Sequence, residues 1–361
     1  MSAVRPVGGG SPWRLSPHGV RVVAGVEVRR LLRSRAWLIS LAVWCVVVTG
    51  LTVLLLGSVG STGGSLSDSG IFLFALVAFG VLSLGALVAP ALTATSINGE
   101  RRDGTLATWQ ATLLTPAEIA LGKLTAGWAA AIALVLGATP SLLLSYFAAP
   151  AMGVGRVFST LGIVMLTLLV VVTIGLAMSA VVVSPVTSTV VTYLLVVALG
   201  LGGPMMFGLT VALVTTEVEV TEQRATRFDP VTSRPVECRP VTSTQNLPRT
   251  DLTWPLLAGS PFVILADAAP RLASSSSDLT TFDVLGGLSA AVRQARLGPG
   301  AGYDDCDEAA ASVDQAARDA LPPVWGWGVL FLLALGVGSW LLTVRRLVVP
   351  IKRLSRGQRI A

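Results

Sequence analysis

Five stretches of this chain carry no Asp, Glu, Lys or Arg: residues 36–67, 69–99, 124–155, 157–216 and 320–344. Crossing the hydrocarbon core of a bilayer takes about 20 mostly apolar residues at about 1.5 Å of rise each. A soluble core can enclose one or two such runs, but not this many. The run 157–216 is long enough for two crossings, and "SPVTS" at 184–188 divides it. Ser184 is placed to cap the next helix, with Pro185 at its first position. Six spans are therefore expected, near 37–57, 71–96, 119–147, 157–183, 187–213 and 324–344. The fold class that follows is an all-α polytopic membrane protein. Composition agrees, with 53% hydrophobic and 13% charged residues, where a soluble domain carries about 25% charged.

A formal net charge of +6 would suit nucleic acid, so the placement of the charges decides. Arg29, Arg30, Arg33 and Arg35 precede the first span, and Arg101, Arg102 and Lys123 lie between the second and third. Arg345, Arg346, Lys352, Arg353, Arg356 and Arg359 follow the last. By the positive-inside rule these segments are cytoplasmic, and an even span number puts both termini there, in the cell membrane. The other face holds the long loop 215–323, with 15 acidic against 9 basic residues. The bases are topology signals, and no nucleic acid is needed to explain them. Four regions result: a cytoplasmic tail with an amphipathic interfacial helix (1–36), spans one to five (37–214), an extracytoplasmic loop domain (215–323), and the sixth span with a basic tail (324–361). In "VRVVAGVEVRRLLRSR" (20–35), Val23 and Val26 would face lipid and the arginines its headgroups. Residues 1–20 lack the apolar core of a cleavable signal peptide.

The outer loop reads as folded. "TTEVEVTEQ" (215–223) alternates like a strand, "PVTS" at 230–233 and 240–243 reads as turns, and "WPLLAGSPFVILADAAP" (254–270) as a pair of short re-entrant or interfacial helices. "YDDCDEAAASVDQAARDAL" (303–321) reads as a helix with acids in its first turn. Cys45 is an apolar filler within a span. Cys238 and Cys306 share the loop and are candidates for a disulfide, which distance decides. The single histidine and three cysteines offer no metal-type spacing.

One polar segment interrupts the apolar pattern: "INGERRDGTLATWQATLLTPAEIALGK", Ile97 to Lys123. A short helix is expected to open at Gly99–Asp103 and to end near Leu114, with Leu106, Trp109 and Leu113 as an exposed stripe on one face. "TPAE" (115–118) is a capping box in which Thr115 caps, Pro116 takes the first position and Glu118 reaches back. An apolar stripe on such a helix calls for a partner.

Residues 98–128 resemble the loop joining the second and third spans in permease subunits of the ABC type 2 exporter class. Those permeases carry E-x-x-x-G-T-L, then T-P, a nearby acid and G-K; here these are Glu100, Gly104, Thr105, Leu106, Thr115, Pro116, Glu118, Gly122 and Lys123. "SPFVILADA" (260–268) is similar to a stretch in some members. The large region 215–323 departs from their compact pattern. The resemblance implies that 98–116 is a coupling helix docking into a separate cytoplasmic ATPase subunit, with Arg101 or Glu100 setting its register. It also implies that a second permease subunit, identical or not, completes the path. ATP and magnesium would belong to the ATPase, and this chain would bind no cofactor. A phosphate loop at Gly122–Lys123 is excluded, because Ala117 stands where its first glycine should be and Leu124 follows the lysine.

Two other classes compete with a permease. An ion-coupled transporter usually needs ionisable groups within its spans, and the six hold none apart from Lys123 near the cytoplasmic end of the third, although a break at "LGLGGP" (199–204) could coordinate sodium through carbonyls. The second is a non-transporting structural or sensor protein. No nucleophile or acid–base cluster marks an enzyme. Thr173, Ser179, Thr189, Thr192 and Tyr193 are candidates to line an uncharged path suited to a lipid-like cargo. They are equally candidates for hydrogen bonds between helices.

Overall fold

The charge-free runs are helices. The computed structural model describes residues 11–62, 66–110, 114–150, 152–228, 235–270, 283–298 and 320–348. Six stretches among them are long and apolar enough to cross a membrane: Arg35–Ser61, Leu66–Arg102, Pro116–Ala148, Val154–Val181, Pro185–Leu213 and Trp325–Leu347. The chain is thus a predominantly helical, multi-pass membrane protein.

In chain order, α1 (Pro17–Arg33) meets α2 (Arg35–Thr62) at Ser34. Next comes α3 (Leu66–Thr93), then two short helices, α4 (Asn98–Arg102) and α5 (Thr105–Gln110). The long α6 (Pro116–Ala148) and α7 (Val154–Val181) follow. The fifth stretch consists of α8 (Pro185–Val197), a π-helical turn (Ala198–Gly202) and α9 (Gly203–Leu213). A hairpin, β1 (Thr215–Phe228) and β2 (Pro235–Pro248), leads to α10 (Thr250–Thr253), α11 (Pro255–Ala258) and α12 (Pro261–Ala268). Two more helices are α13 (Val284–Leu297) and α14 (Trp325–Leu347).

These elements form two compact units: residues 1–197, 272–283 and 329–361, and residues 198–271 and 284–328. At the centre of the first, 61% of α6's apolar window and 67% of α7's are buried, against 11% for α2. Small residues let the central backbones approach. A Cβ on Gly175 of α7 would stand 2.0 Å from the Thr93 hydroxyl of α3, so any side chain there forces the two helices apart. Arg156, at the start of α7 and 1% exposed, is ion-paired with Asp283.

The second unit contains the antiparallel hairpin, in register from Thr215↔Pro248 to Phe228↔Pro235 with an irregularity near Arg227. The expected strand at 215–223 lies within β1, but the "PVTS" read as a turn at 240–243 is strand. Leu257, Val263, Val292 and Val324 form an apolar core between α11, α12, α13 and the approach to α14. No element was expected at α13. The helix expected over 303–321 falls outside the described residues, except for its last two positions.

Candidate functional site

The polar segment between α3 and α6 does not form one helix. Asp103 ends α4, and Gly104 adopts φ +73°, a left-handed conformation costly for any residue with a Cβ. The chain turns there before α5 begins. The expected coupling helix over 98–116 is therefore two short helices, α4 and α5, ahead of the capped start of α6.

That turn reverses the expectation for the apolar stripe. Leu106 is only 1% exposed and packs with Ile97, Ala117, Ala120 and Leu124, with Trp109 half-buried against the same cluster. Two of the three stripe residues thus pack against their own fold, while Leu113 lies outside the described residues. What remains exposed is the polar tip, Arg102, Asp103, Gly104 and Thr105, with Arg101 partly so.

Beneath the tip the motif residues form a clasp on α1. The capping box is present: Glu118 N–H donates to Thr115 Oγ1 at 3.2 Å, and Thr115 N–H donates to Glu118 Oε2 at 2.8 Å. The other oxygen, Oε1, accepts from the N–H of Ser16, the N-cap of α1, at 2.8 Å. One buried carboxylate therefore serves the starts of two helices, satisfying donors that helix termini leave orphaned. One turn further, a Cβ on Gly122 would stand 2.5 Å from Val23 Cβ, so α1 crosses α6 in close contact there. Val23, expected to face lipid, is fully buried by this crossing, whereas Val22 and Val26 stay exposed.

Lys123 closes the clasp. Its ammonium lies 2.5 Å from Glu27 Oε1 on α1 and 2.7 Å from Glu100 Oε1 on α4, with its side chain 2% exposed. A buried ammonium between two carboxylates is a strong, desolvation-sensitive arrangement. Glu118, Gly122 and Lys123 thus hold α1 at three points, and Lys123 also ties in α4. Glu100 and Lys123, both candidates for contact with a partner, are engaged with each other. Thr115 and Pro116 serve the start of α6, and Thr115 Oγ1 also donates to the Arg14 carbonyl at 2.6 Å.

The five candidate path residues all donate their hydroxyls to backbone or receive from it. Thr173, Thr189 and Thr192 donate to carbonyls on their own helices, at Val170, Pro185 and Ser188. Ser179 accepts from the N–H groups of Ile97 and Asn98, at 2.9 and 3.2 Å, and fixes the turn after α3. Tyr193 donates to the Leu87 carbonyl at 2.9 Å. Interhelical bonding thus describes Ser179 and Tyr193, and no cargo can be read from these five. At the break in the fifth span, the Gly200 carbonyl accepts from Ser260 Oγ at 2.7 Å. Cys238 stands opposite Ala225 in the hairpin, and Cys306 lies outside the described residues.

Glu27, Asp267 and Arg293 were not singled out from sequence. Yet Glu27 is the sole acid before Asp68, and Asp267 the sole charge between Asp251 and Arg271. A lone charge in an apolar stretch signals a buried partner. No protein-family model matches this chain, and no curated protein matches it.

Proposed function

We propose that this chain is the membrane-spanning permease subunit of an ATP-driven exporter of the ABC type 2 class, paired with a second permease subunit and powered by a separate cytoplasmic ATPase. The observation that carries the reading is the loop between the second and third spans. It presents a charged tip at Arg101–Thr105 and is tied through Glu100 to Lys123 of α6, which together with Glu118 clasps the interfacial helix α1. A loop serving only to connect spans has no need of a buried ion pair to the helix that follows it. A rigid one can carry a push from a partner into α6 and α1. With Leu106 buried, the docking contact moves from the apolar stripe to the tip.

The reading is tested by exchanging the two tip charges in the full-length protein, as Arg102→Glu with Asp103→Arg. Both side chains are well exposed, at 72% and 65%, so the membrane level of the permease stays unchanged. A mismatched charge at an interface costs several kcal/mol, so co-purification of the ATPase and export-linked ATP hydrolysis are each expected to fall at least about tenfold. Retention of both at the parental level would overturn the assignment.

Orientation follows from the basic segments. Cysteines placed near Thr226 and Ser275 should react with an impermeant thiol reagent from outside, and cysteines near Thr108 and Ser355 only from inside. Reaction of Ser275→Cys from the cytoplasmic side would sink the arrangement with cytoplasmic termini.

A further inference from the structure

An open seam runs between α2 and its neighbours. Trp37, Leu41 and Trp44 of α2, Leu84 and Val88 of α3 and Leu134 of α6 wall a groove of about 390 Å³. A second hollow of about 250 Å³ continues past Trp44, between Leu51 and Leu55 of α2 and Leu73 and Val77 of α3. Trp44 holds the seam open. Its indole N–H donates to the Leu134 carbonyl at 3.0 Å, and its ring lies 3.2 Å from where a Cβ on Gly137 would stand. A wide aromatic wedged there keeps α2 from closing on α3.

The first groove suits a hydrocarbon chain. Ser40 is the one hydroxyl lining it and already donates to the Ala36 carbonyl; the other polar groups among the lining side chains are the indole N–H groups of Trp37 and Trp44, the latter spent on Leu134. Water in such a groove would lack the partners it needs. Its lining on α2 extends from Trp37 to Val47, roughly 15 Å of helix, or one leaflet of hydrocarbon. A groove of that length and apolar lining suits one extended acyl chain.

Charge identifies the rest of the ligand. Arg29, Arg33 and Arg35 are exposed where α1 turns into α2, at the end where the groove begins. Guanidinium groups at headgroup depth pair with phosphate in bidentate fashion and prefer lipids with net negative charge. We propose that the groove between α2 and α3 is a binding site for one anionic phospholipid, its acyl chain lying between Trp37 and Trp44 and its headgroup held by Arg33 and Arg35. The site is independent of any ATPase.

The test uses the full-length protein in mild detergent, titrated with phosphatidylglycerol or with phosphatidylcholine of identical acyl chains, and read by native mass spectrometry. One phosphatidylglycerol per chain should be retained in preference to phosphatidylcholine. Arg33→Gln with Arg35→Gln should erode that preference by about fivefold per arginine. Val88→Phe or Leu84→Phe, which fill the groove, should abolish retention while leaving the arginines in place. Should neither fold, a photoactivatable phosphatidylglycerol decides instead: it should label the peptide containing Trp37–Trp44 in the parent and lose that label in the arginine variant. Equal retention of both lipids by the parent would overturn the proposal, as would unchanged retention in a folded groove-filled variant. A Val43→Cys disulfide dimer forming efficiently in membranes would also overturn it, by giving the groove to a second copy.

Discussion

Replacing Lys123 by methionine is expected to be among the most damaging single changes in the first unit. The ammonium sits 2.5 and 2.7 Å from carboxylates on two different elements, and the lysine side chain is 2% exposed. Removing it leaves Glu27 and Glu100 facing each other with no cation between them, and Glu100 Oε2 already lacks a partner. Breaking a buried ion pair from one side typically costs about 3–5 kcal/mol. In a chain of this size that lowers the melting temperature by about 4–7 °C. Protease sensitivity of α1 should rise together with the fall in melting temperature, because α1 loses one of its three attachments. Adding Glu27→Gln and Glu100→Gln to the variant should restore much of the stability, since it leaves no unpaired charge and the two amides can bond to each other. Parental melting in the single variant would show that the clasp does not hold α1.

This clasp marks where the sequence was legible and where it was not. Span number was legible because a bilayer leaves a coarse signal: tens of residues without charge, which no turn chemistry can imitate. The start of α6 was also legible, since a capping box is local and Thr115, Pro116 and Glu118 lie within four positions. The direction in which Leu106 faces was not. It depends on the positive φ of Gly104, and a glycine in the sequence permits that conformation without requiring it. Nor was Lys123's second partner, because Glu27 lies 96 positions away and meets it only after α1 folds back along α6. The same holds for Glu118, which the sequence assigns to α6 alone and which also serves α1. Several motif residues, Glu100, Thr115, Glu118, Gly122 and Lys123, thus lie around one clasp, while their contacts depended on a helix outside the motif.

Asp267 provides the corresponding test in the second unit, with an expected effect at least as large. Its side chain is fully buried. Oδ1 accepts from Ser289 Oγ at 2.8 Å and from the Arg293 guanidinium at 3.2 and 3.3 Å, both on α13. Oδ2 accepts from the backbone N–H groups of Val324 and Trp325, where α14 begins. One carboxylate on α12 therefore neutralises a buried arginine and caps the start of the last apolar helix. Arg293 also donates to the Leu321 carbonyl at 2.9 Å, which ties α13 to the same approach. Asp267→Ala strands the guanidinium, 8% exposed, and orphans two N–H groups. The stranded charge costs about 3–5 kcal/mol, and each orphaned donor adds about 1–3 kcal/mol where water cannot reach it. The expected outcome is loss of monodisperse protein on detergent extraction. Asp267→Asn should do less harm, since its carbonyl oxygen can still accept from Val324 and Trp325 while its amide turns a donor toward Arg293. Adding Arg293→Met to Asp267→Ala should recover part of the loss, because the stranded charge goes with it and only neutral groups, the two N–H groups, the Ser289 hydroxyl and the Leu321 carbonyl, lose partners. If the double variant proves less stable than Asp267→Ala alone, Arg293 contributes through packing and not through its pair with Asp267. If Asp267→Ala melts like the parent, the carboxylate does not organise the start of α14.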